Sequence, residues 1–357
     1  MLIPVPYQTH TVQPGETVWS IAQRYGTTVD RIVQLNQLAN PNQINAGMVL
    51  VVPEGPKPTI DVNAFIFEGQ GRDEIDSLGS LLTYLTPFAY EVREDGSLSA
   101  LNDEEQIEAA RQNNIVPMMC IINFTPQVAG SDLASLILND VNRQNRLLDN
   151  IVTTMRNKGY QGLNVDFEFV YPQDREAYNQ FLRRAAERLH QEGFFLSTSL
   201  APKTRADQPG LLYEAHDYAA HGEIADFVIL MTYEWGYRLG PPQPISPIDQ
   251  IRRVLDYAVT VIPRNKIMMG FQIYARDWLL PHVQGQEAET FSVQEALRRA
   301  AQYRTAIQYD FNARSAKAKF DTAVAYGLKG ISYWVLGYPF PQNWVLLGDT
   351  FQVRKRG

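Results

Sequence analysis

Apolar positions near the start of the chain follow two periods in turn. Residues 17–25 and 29–38 place apolar side chains at helical spacing, while 9–12 and 49–52 are short runs of strand-forming residues. Gly26 supplies the stop for the first helix and Thr28 a side-chain cap for the second. Strand, helix, helix, strand in this order predicts a small α+β unit, with Trp19 and Ile21 packed inward. A break follows at Pro53-Glu54-Gly55-Pro56-Lys57-Pro58, where proline removes backbone donors and holds the chain extended. The expected organisation is a module at 1–53, a linker at 54–59 and a larger domain at 60–357.

Beyond the break, apolar strand-like runs alternate with helical stretches, the pattern of a parallel sheet with crossover helices. Strands are predicted at 60–67, 81–90, 115–124, 162–170, 194–201, 227–233, 266–274 and 330–336. Eight of them imply a closed α/β (β/α)8 TIM barrel. After the fourth, Pro172 suits a helix start, and Ala177, Tyr178, Phe181, Leu182, Ala185 and Leu189 form its buried stripe. Arg183, Arg184, Glu187 and Arg188 lie on its solvated side. The stretch 279–310 breaks the alternation and reads as an insertion.

The first unit has a specific content. His10-Thr-Val-Gln-Pro-Gly-Glu-Thr-Val-Trp-Ser-Ile-Ala-Gln-Arg-Tyr-Gly26, Leu35-Asn36 and Gly47-Met-Val-Leu-Val-Val-Pro53 resemble the LysM module throughout its length. The resemblance implies a shallow groove for N-acetylglucosamine polymers. It places that groove at Gly15, Glu16, Thr17 and Val18 and at the facing segment from Asn40 to Ile44.

Charge and cysteine usage exclude several partners. Thirty-two Lys and Arg against 39 Asp and Glu give a net charge of -7, which repels nucleic acid and anionic lipid surfaces. No apolar stretch of about 20 residues offers a membrane span, and a monomer is expected. The only cysteine, Cys120, falls in the apolar run 115–122 and reads as a small core residue, so no disulfide framework exists. The opening MLIPVPYQTH has neither a basic residue before Arg24 nor an apolar stretch of signal-peptide length, which implies unconventional export or a trimmed leader. The basic end, Arg354 to Arg356, reads as a solvated terminus.

Candidate chemistry concentrates in the fourth predicted strand. Asn164, Asp166 and Glu168 alternate with Leu163, Val165, Phe167 and Phe169, so a strand sends the polar set to one face. Outer helices cover the apolar set, which leaves the polar set in the barrel interior with Glu168 nearest the carboxyl end, where barrel active sites lie. Ionised Asp166 then disfavours a second charge on Glu168 and raises its pKa, so that Glu168 holds a proton for a leaving oxygen.

This segment resembles the glycoside hydrolase family 18 signature D-x-x-D-x-D-x-E in its last two acids. Gln161 replaces the first Asp and Asn164 the second; Asn164 is expected to hydrogen-bond Asp166 without sharing a proton. Met231-Thr-Tyr-Glu234 resembles the family's Met-x-Tyr-Asp with Glu234 for the Asp, Gly270-Phe-Gln-Ile-Tyr274 the seventh-strand end, and Ser332-Tyr-Trp334 the eighth. The family implies a retaining mechanism in which the substrate's 2-acetamido oxygen is the nucleophile. Glu168 would protonate the glycosidic oxygen and later deprotonate water, and Asp166 would orient the acetamido N–H. Tyr233 would bind the acetamido oxygen and Trp334 floor the sugar. Asn164, Met231, Glu234, Gln272 and Tyr274 would complete the substrate site, with no cofactor and no metal.

A closer likeness is to the spore cortex-lytic branch of the family, through Asp166-Phe-Glu-Phe-Val-Tyr-Pro-Gln-Asp-Arg-Glu-Ala-Tyr178, Met231-Thr-Tyr-Glu-Trp-Gly236 and Pro339-Phe-Pro-Gln-Asn-Trp344. It implies cleavage of β-1,4 bonds after N-acetylglucosamine in cortex peptidoglycan, by a spore-coat or wall-associated protein. Muramic lactam has no free acetamido group, so only the glucosamine residue can assist its own cleavage. A chitinase is the enzyme alternative, because its acetamido chemistry is identical. A glycan-binding protein without activity is the competing class, and it requires Glu168 to be blocked.

Overall fold

The computed structural model describes residues 7–53, 57–125, 130–304 and 313–356. The chain divides into two compact units, residues 1–58 and 59–357. In the first, β1 (Tyr7–Thr11) pairs antiparallel with β2 (Val49–Pro53), and helices Val18–Arg24 and Val29–Asn36 lie between them in sequence. Thr17 and Ser20 close a capping box on the first helix, Gly26 follows its end at φ +61°, and Thr28 accepts from the Arg31 N–H. Asn36 bridges the second helix to β2, donating to the Val51 carbonyl and accepting from its N–H, both at 2.7 Å.

Val12, Val18, Ile21, Ala22, Ile32, Leu50 and Val52 form this unit's core. Ile21 is buried as expected; Trp19 is not, being 64% exposed. Val18, Ile21 and Ala22 already define the inward stripe at i, i+3 and i+4, and Trp19, one residue after Val18, is turned about 100° away from it. Of the expected linker, residues 54–56 lie outside the described residues.

The second unit is the barrel. Its strands are β3 (Thr59–Phe67), β4 (Tyr84–Phe88) with the short β5 (Tyr90–Glu91), β6 (Val116–Ile122), β7 (Gly162–Asp166), β8 (Phe195–Leu200), β9 (Phe227–Leu230) and β10 (Ile267–Gln272). After β10 come the hairpin β11 (Tyr274–Asp277) and β12 (Glu289–Ser292), then β13 (Gly330–Trp334) and β14 (Gln352–Val353). Eight parallel strands, β3, β4, β6, β7, β8, β9, β10 and β13, pair in that order and close through β13–β3. Among the described residues no helix is long and apolar enough to cross a membrane.

Five predicted strands end two or more residues early at the same rim, the third at Ile122 and the eighth at Trp334 among them. The fourth ends at Asp166, the sixth at Leu230, and the seventh at Gln272. The apolar pattern runs on, but the ladder stops. The chain after Gln272 leaves β13 and pairs antiparallel with β12, so the expected insertion starts as a hairpin, continues into helix Val293–Tyr303, and has residues 305–310 outside the described residues.

Packing explains how β7 is held. Phe167 stacks on Tyr178 and Phe181 of helix Arg175–Gln191, with ring centroids 5.9 and 6.0 Å apart. Each fully buried aromatic of this kind contributes about 1.5–3 kcal/mol. Cys120, Met118, Phe227, Ile229 and Met268 pack together in a separate cluster, and burial pushes the Cys120 thiol well up, as befits a core residue.

The terminus departs from expectation. Arg354 and Arg356 pair with Asp61 at 2.8 and 3.1 Å, and Lys355 donates to the carbonyls of Gly79 and Leu82. Asp61 is fully buried at the start of β3 and also meets Lys329 at 2.9 Å. A buried carboxylate needs partners, and the basic end supplies two of them.

Candidate active site

The β7 strand delivers Asn164 and Asp166 into the barrel and then stops. Asn164, fully buried, donates to the Ser197 hydroxyl at 2.7 Å and accepts from the Ser199 hydroxyl at 3.0 Å. The expected Asn164–Asp166 bond is therefore replaced by bonds to β8, and the two serines were not singled out by the sequence pattern. Asp166 is 5% exposed, and its Oδ1 finds no hydrogen-bond partner among the described residues. Burial raises its pKa.

Glu168 lies two residues beyond, its residue surface still partly open to solvent. Its pKa is raised, first by burial of the carboxyl and then by the charges of Asp166 and Glu234. The sequence reading put Asp166 first; desolvation is the larger cause. Either way the carboxyl holds its proton to higher pH, which is the state a general acid needs.

Aromatic side chains stand beside these acids. Tyr233 is buried after β9, and its ring stacks on Trp334 with centroids 6.4 Å apart and planes 13° apart. Gly270 makes room for it: a Cβ there would fall 2.7 Å from the Tyr233 ring and 2.5 Å from the Leu230 carbonyl. Burial and the nearby charges of Asp166, Glu168 and Glu234 push the Tyr233 hydroxyl well up, so it remains a donor. Trp334 in turn meets Phe65, Phe67 and Phe88 edge-on at 4.7–5.5 Å. Met231 is half-buried and donates its N–H to the Leu200 carbonyl at 2.9 Å.

Glu234 has φ +68° and is fixed by the hairpin. Arg276 of β11 binds both of its oxygens at 2.8 Å, and the Tyr274 hydroxyl donates to it as well. Arg276 has a side chain only 5% exposed. Sequence reasoning missed it, because it lies between the expected seventh strand, 266–274, and the expected insertion, 279–310, in a stretch given no element. Gln272, opposite Trp334 in register, accepts from the Ser246 hydroxyl.

In the small unit, Gly15, Thr17 and Asn40 are exposed and Ile44 is half-buried. The Val18 side chain belongs to the core, which leaves only its backbone for a ligand. The Glu16 carboxylate is engaged by His10 at 2.6 Å and Arg24 at 2.7 Å.

The sequence model for glycosyl hydrolases family 18 matches residues 75–338. The chain belongs to glycoside hydrolase family 18. A LysM domain model matches residues 10–53. Among curated relatives, the cortical fragment-lytic enzyme of Bacillus subtilis (strain 168) is 41% identical over 98% of this chain and 99% of its own length. Its counterpart in Bacillus anthracis is 36% identical over 98% and 100%. Among solved structures, the spore cortex-lytic enzyme SleL of Bacillus megaterium QM B1551 superposes with a TM-score of 0.85 at 38% identity, covering 100% of this chain and 89% of that one. A chitinase from Chromobacterium violaceum ATCC 12472 has a TM-score of 0.74 at 22% identity, covering 82% of this chain and 98% of that one, a likeness of fold alone. This family 18 protein is a glycoside hydrolase, and with its LysM domain it binds glycans that contain N-acetylglucosamine.

Proposed function

We propose that this family 18 hydrolase cleaves β-1,4 bonds after N-acetylglucosamine in spore cortex peptidoglycan, as a monomer associated with the spore coat or wall. The observation that carries the reading is the pairing of a proton-holding Glu168 with a buried Asp166 whose Oδ1 has no hydrogen-bond partner among the described residues. A buried carboxylate oxygen left without a donor costs free energy until something supplies one. The N–H of a 2-acetamido group supplies it, and doing so turns the acetamido oxygen toward the anomeric carbon.

In this mechanism Glu168 protonates the glycosidic oxygen while the acetamido oxygen attacks, giving an oxazolinium ion whose charge Asp166 balances. Glu168, now ionised, takes a proton from water as the water opens the ring, and the configuration is retained. Tyr233 donates to the acetamido oxygen and Trp334 provides the sugar's apolar floor. Cortex is favoured over chitin because the relatives that match over the whole chain at 36–41% identity carry cortical fragment-lytic names, while the chitinase likeness is one of fold. Turnover of cortex fragments and of chitin oligomers, measured side by side with early-time NMR of the product anomers, tests the proposal. Faster cleavage of cortex fragments with retained configuration is expected; inverted products would exclude the mechanism, and a preference for chitin would exclude the substrate.

A further inference from the structure

The ladder that should hold the acid residue ends before reaching it. β7 pairs with β6 as far as Asp166 and with β8 only as far as Val165, and Phe169 then turns into the left-handed region at φ +54°. Residues 167–169 thus lie outside any strand, yet each of their carbonyls is taken by a side chain from a different neighbour. His216 Nε2–H donates to the Phe167 carbonyl at 2.9 Å, Asn123 Nδ2–H to that of Glu168 at 2.8 Å, and the Ser131 hydroxyl to that of Phe169 at 2.5 Å.

Asn123 does more than satisfy a carbonyl. Its Oδ1 accepts the Glu168 N–H at 2.8 Å, and its Nδ2 also donates to the Gly130 carbonyl at 3.1 Å. One amide therefore occupies both polar backbone groups of Glu168 as a neighbouring strand would, and it has no donor left over for a substrate. The approach is close: Gly130 has φ +78°, and a Cβ there would fall 1.8 Å from the Asn123 carbonyl oxygen. His216 is equally committed, because its Nδ1 accepts from the Ala201 N–H at 2.8 Å, which places the ring proton on Nε2. Burial lowers its pKa to about 4 and so keeps that neutral form at working pH.

We infer that Asn123, Ser131 and His216 are positioning residues for the acid–base step, a three-point clamp that stands in for the missing ladder and sets the direction in which the Glu168 side chain leaves the backbone. The inference rests on the reading of Glu168 as the catalytic acid. Its consequence is specific to proton transfer, because a small misplacement of a catalytic group lowers the rate without weakening substrate binding.

Two substrates separate this role from a merely structural one. Cortex fragments have a sugar hydroxyl as leaving group and need a proton from Glu168; a 4-methylumbelliferyl glycoside of an N-acetylglucosamine oligomer has a leaving group that departs with far less help. Asn123→Ala and His216→Gln are expected to lower kcat on cortex fragments on the order of 10- to 100-fold with KM changed by less than about twofold, and to lose much less on the aryl glycoside. Glu168→Gln serves as the reference, with the same substrate pattern and a larger loss. Unchanged kcat on cortex fragments, or equal losses on both substrates, overturns the clamp while leaving the acid in place. Normal turnover by Glu168→Gln overturns the acid itself. Should Asn123→Ala or His216→Gln not fold by circular dichroism, Ser131→Ala, which removes one hydroxyl from a half-buried position, is judged by the same criteria.

Discussion

Glu168 is a carboxyl whose surroundings favour the protonated form, and that has a cost in stability as well as a use. Below its unfolded value near 4.3 both folded and unfolded states carry the proton, so the group is neutral to folding. As pH rises the unfolded chain ionises first, and stability falls until the folded carboxyl also ionises. Glu168→Gln removes that loss. The variant is expected to melt within about 1–2 °C of the wild type at pH 4 and at least about 2–4 °C above it at pH 8, read by calorimetry. His216 and His221, held neutral by burial with pKa values lowered to about 4 and about 3, act in the opposite sense, destabilising as pH falls below about 6.5. They are common to both proteins and cancel in the difference. A gap that does not widen with pH would mean the carboxyl is not desolvated. At this scale the acids were legible in the sequence because alternation on a strand is strict. Arg276, Ser199 and Asn123 were not, since nothing local marks which polar residue a distant strand will meet.

Strands and termini carry the next level of constraint. The sequence overran β7, β9 and β10 because hydrophobic alternation reports burial rather than hydrogen-bonded pairing, and Phe167 remains buried against helix Arg175–Gln191 after the ladder has ended. The surplus residues include Glu168, Met231, Tyr233 and Tyr274 of the site. Trp19 shows the reverse error, an apolar residue assigned inward although its helix had already filled its stripe. The basic terminus was read as solvated because three charges carry no periodicity, whereas β14 pairs with β3 and brings Arg354 and Arg356 to Asp61. Replacing both arginines by alanine leaves a fully buried carboxylate with Lys329 at 2.9 Å and the Tyr84 hydroxyl at 3.3 Å as its partners. A loss of about 1–3 kcal/mol is expected, less than for an isolated buried pair because Lys329 stays and the arginines are half exposed. Adding Asp61→Asn to the double variant should recover part of that loss in a thermal melt. No recovery would show that the arginines stabilise through packing and not through Asp61.

At the scale of the whole molecule, the order of elements was the most readable feature, because eight strand–helix alternations and one strand–helix–helix–strand unit leave few architectures open. Two compact units, 1–58 and 59–357, and family matches at 10–53 and 75–338 raise the question of what each contributes. Every acid and aromatic described in the site comes from residues after 59, and the barrel closes β13 onto β3 without using any strand of the smaller unit. A chain lacking residues 1–55 is therefore expected to fold and to cleave short soluble cortex fragments at close to the full-length rate. On insoluble wall the outcome differs, since a second binding module raises the effective concentration of the active site beside its substrate without touching the chemistry. Sedimentation with purified cortex should retain the full-length chain and release much of the shortened one, and the rate on insoluble cortex should fall accordingly. Equal sedimentation of both would remove the LysM domain from the role of anchor. Loss of activity on soluble fragments would instead mean that the two units share the active site.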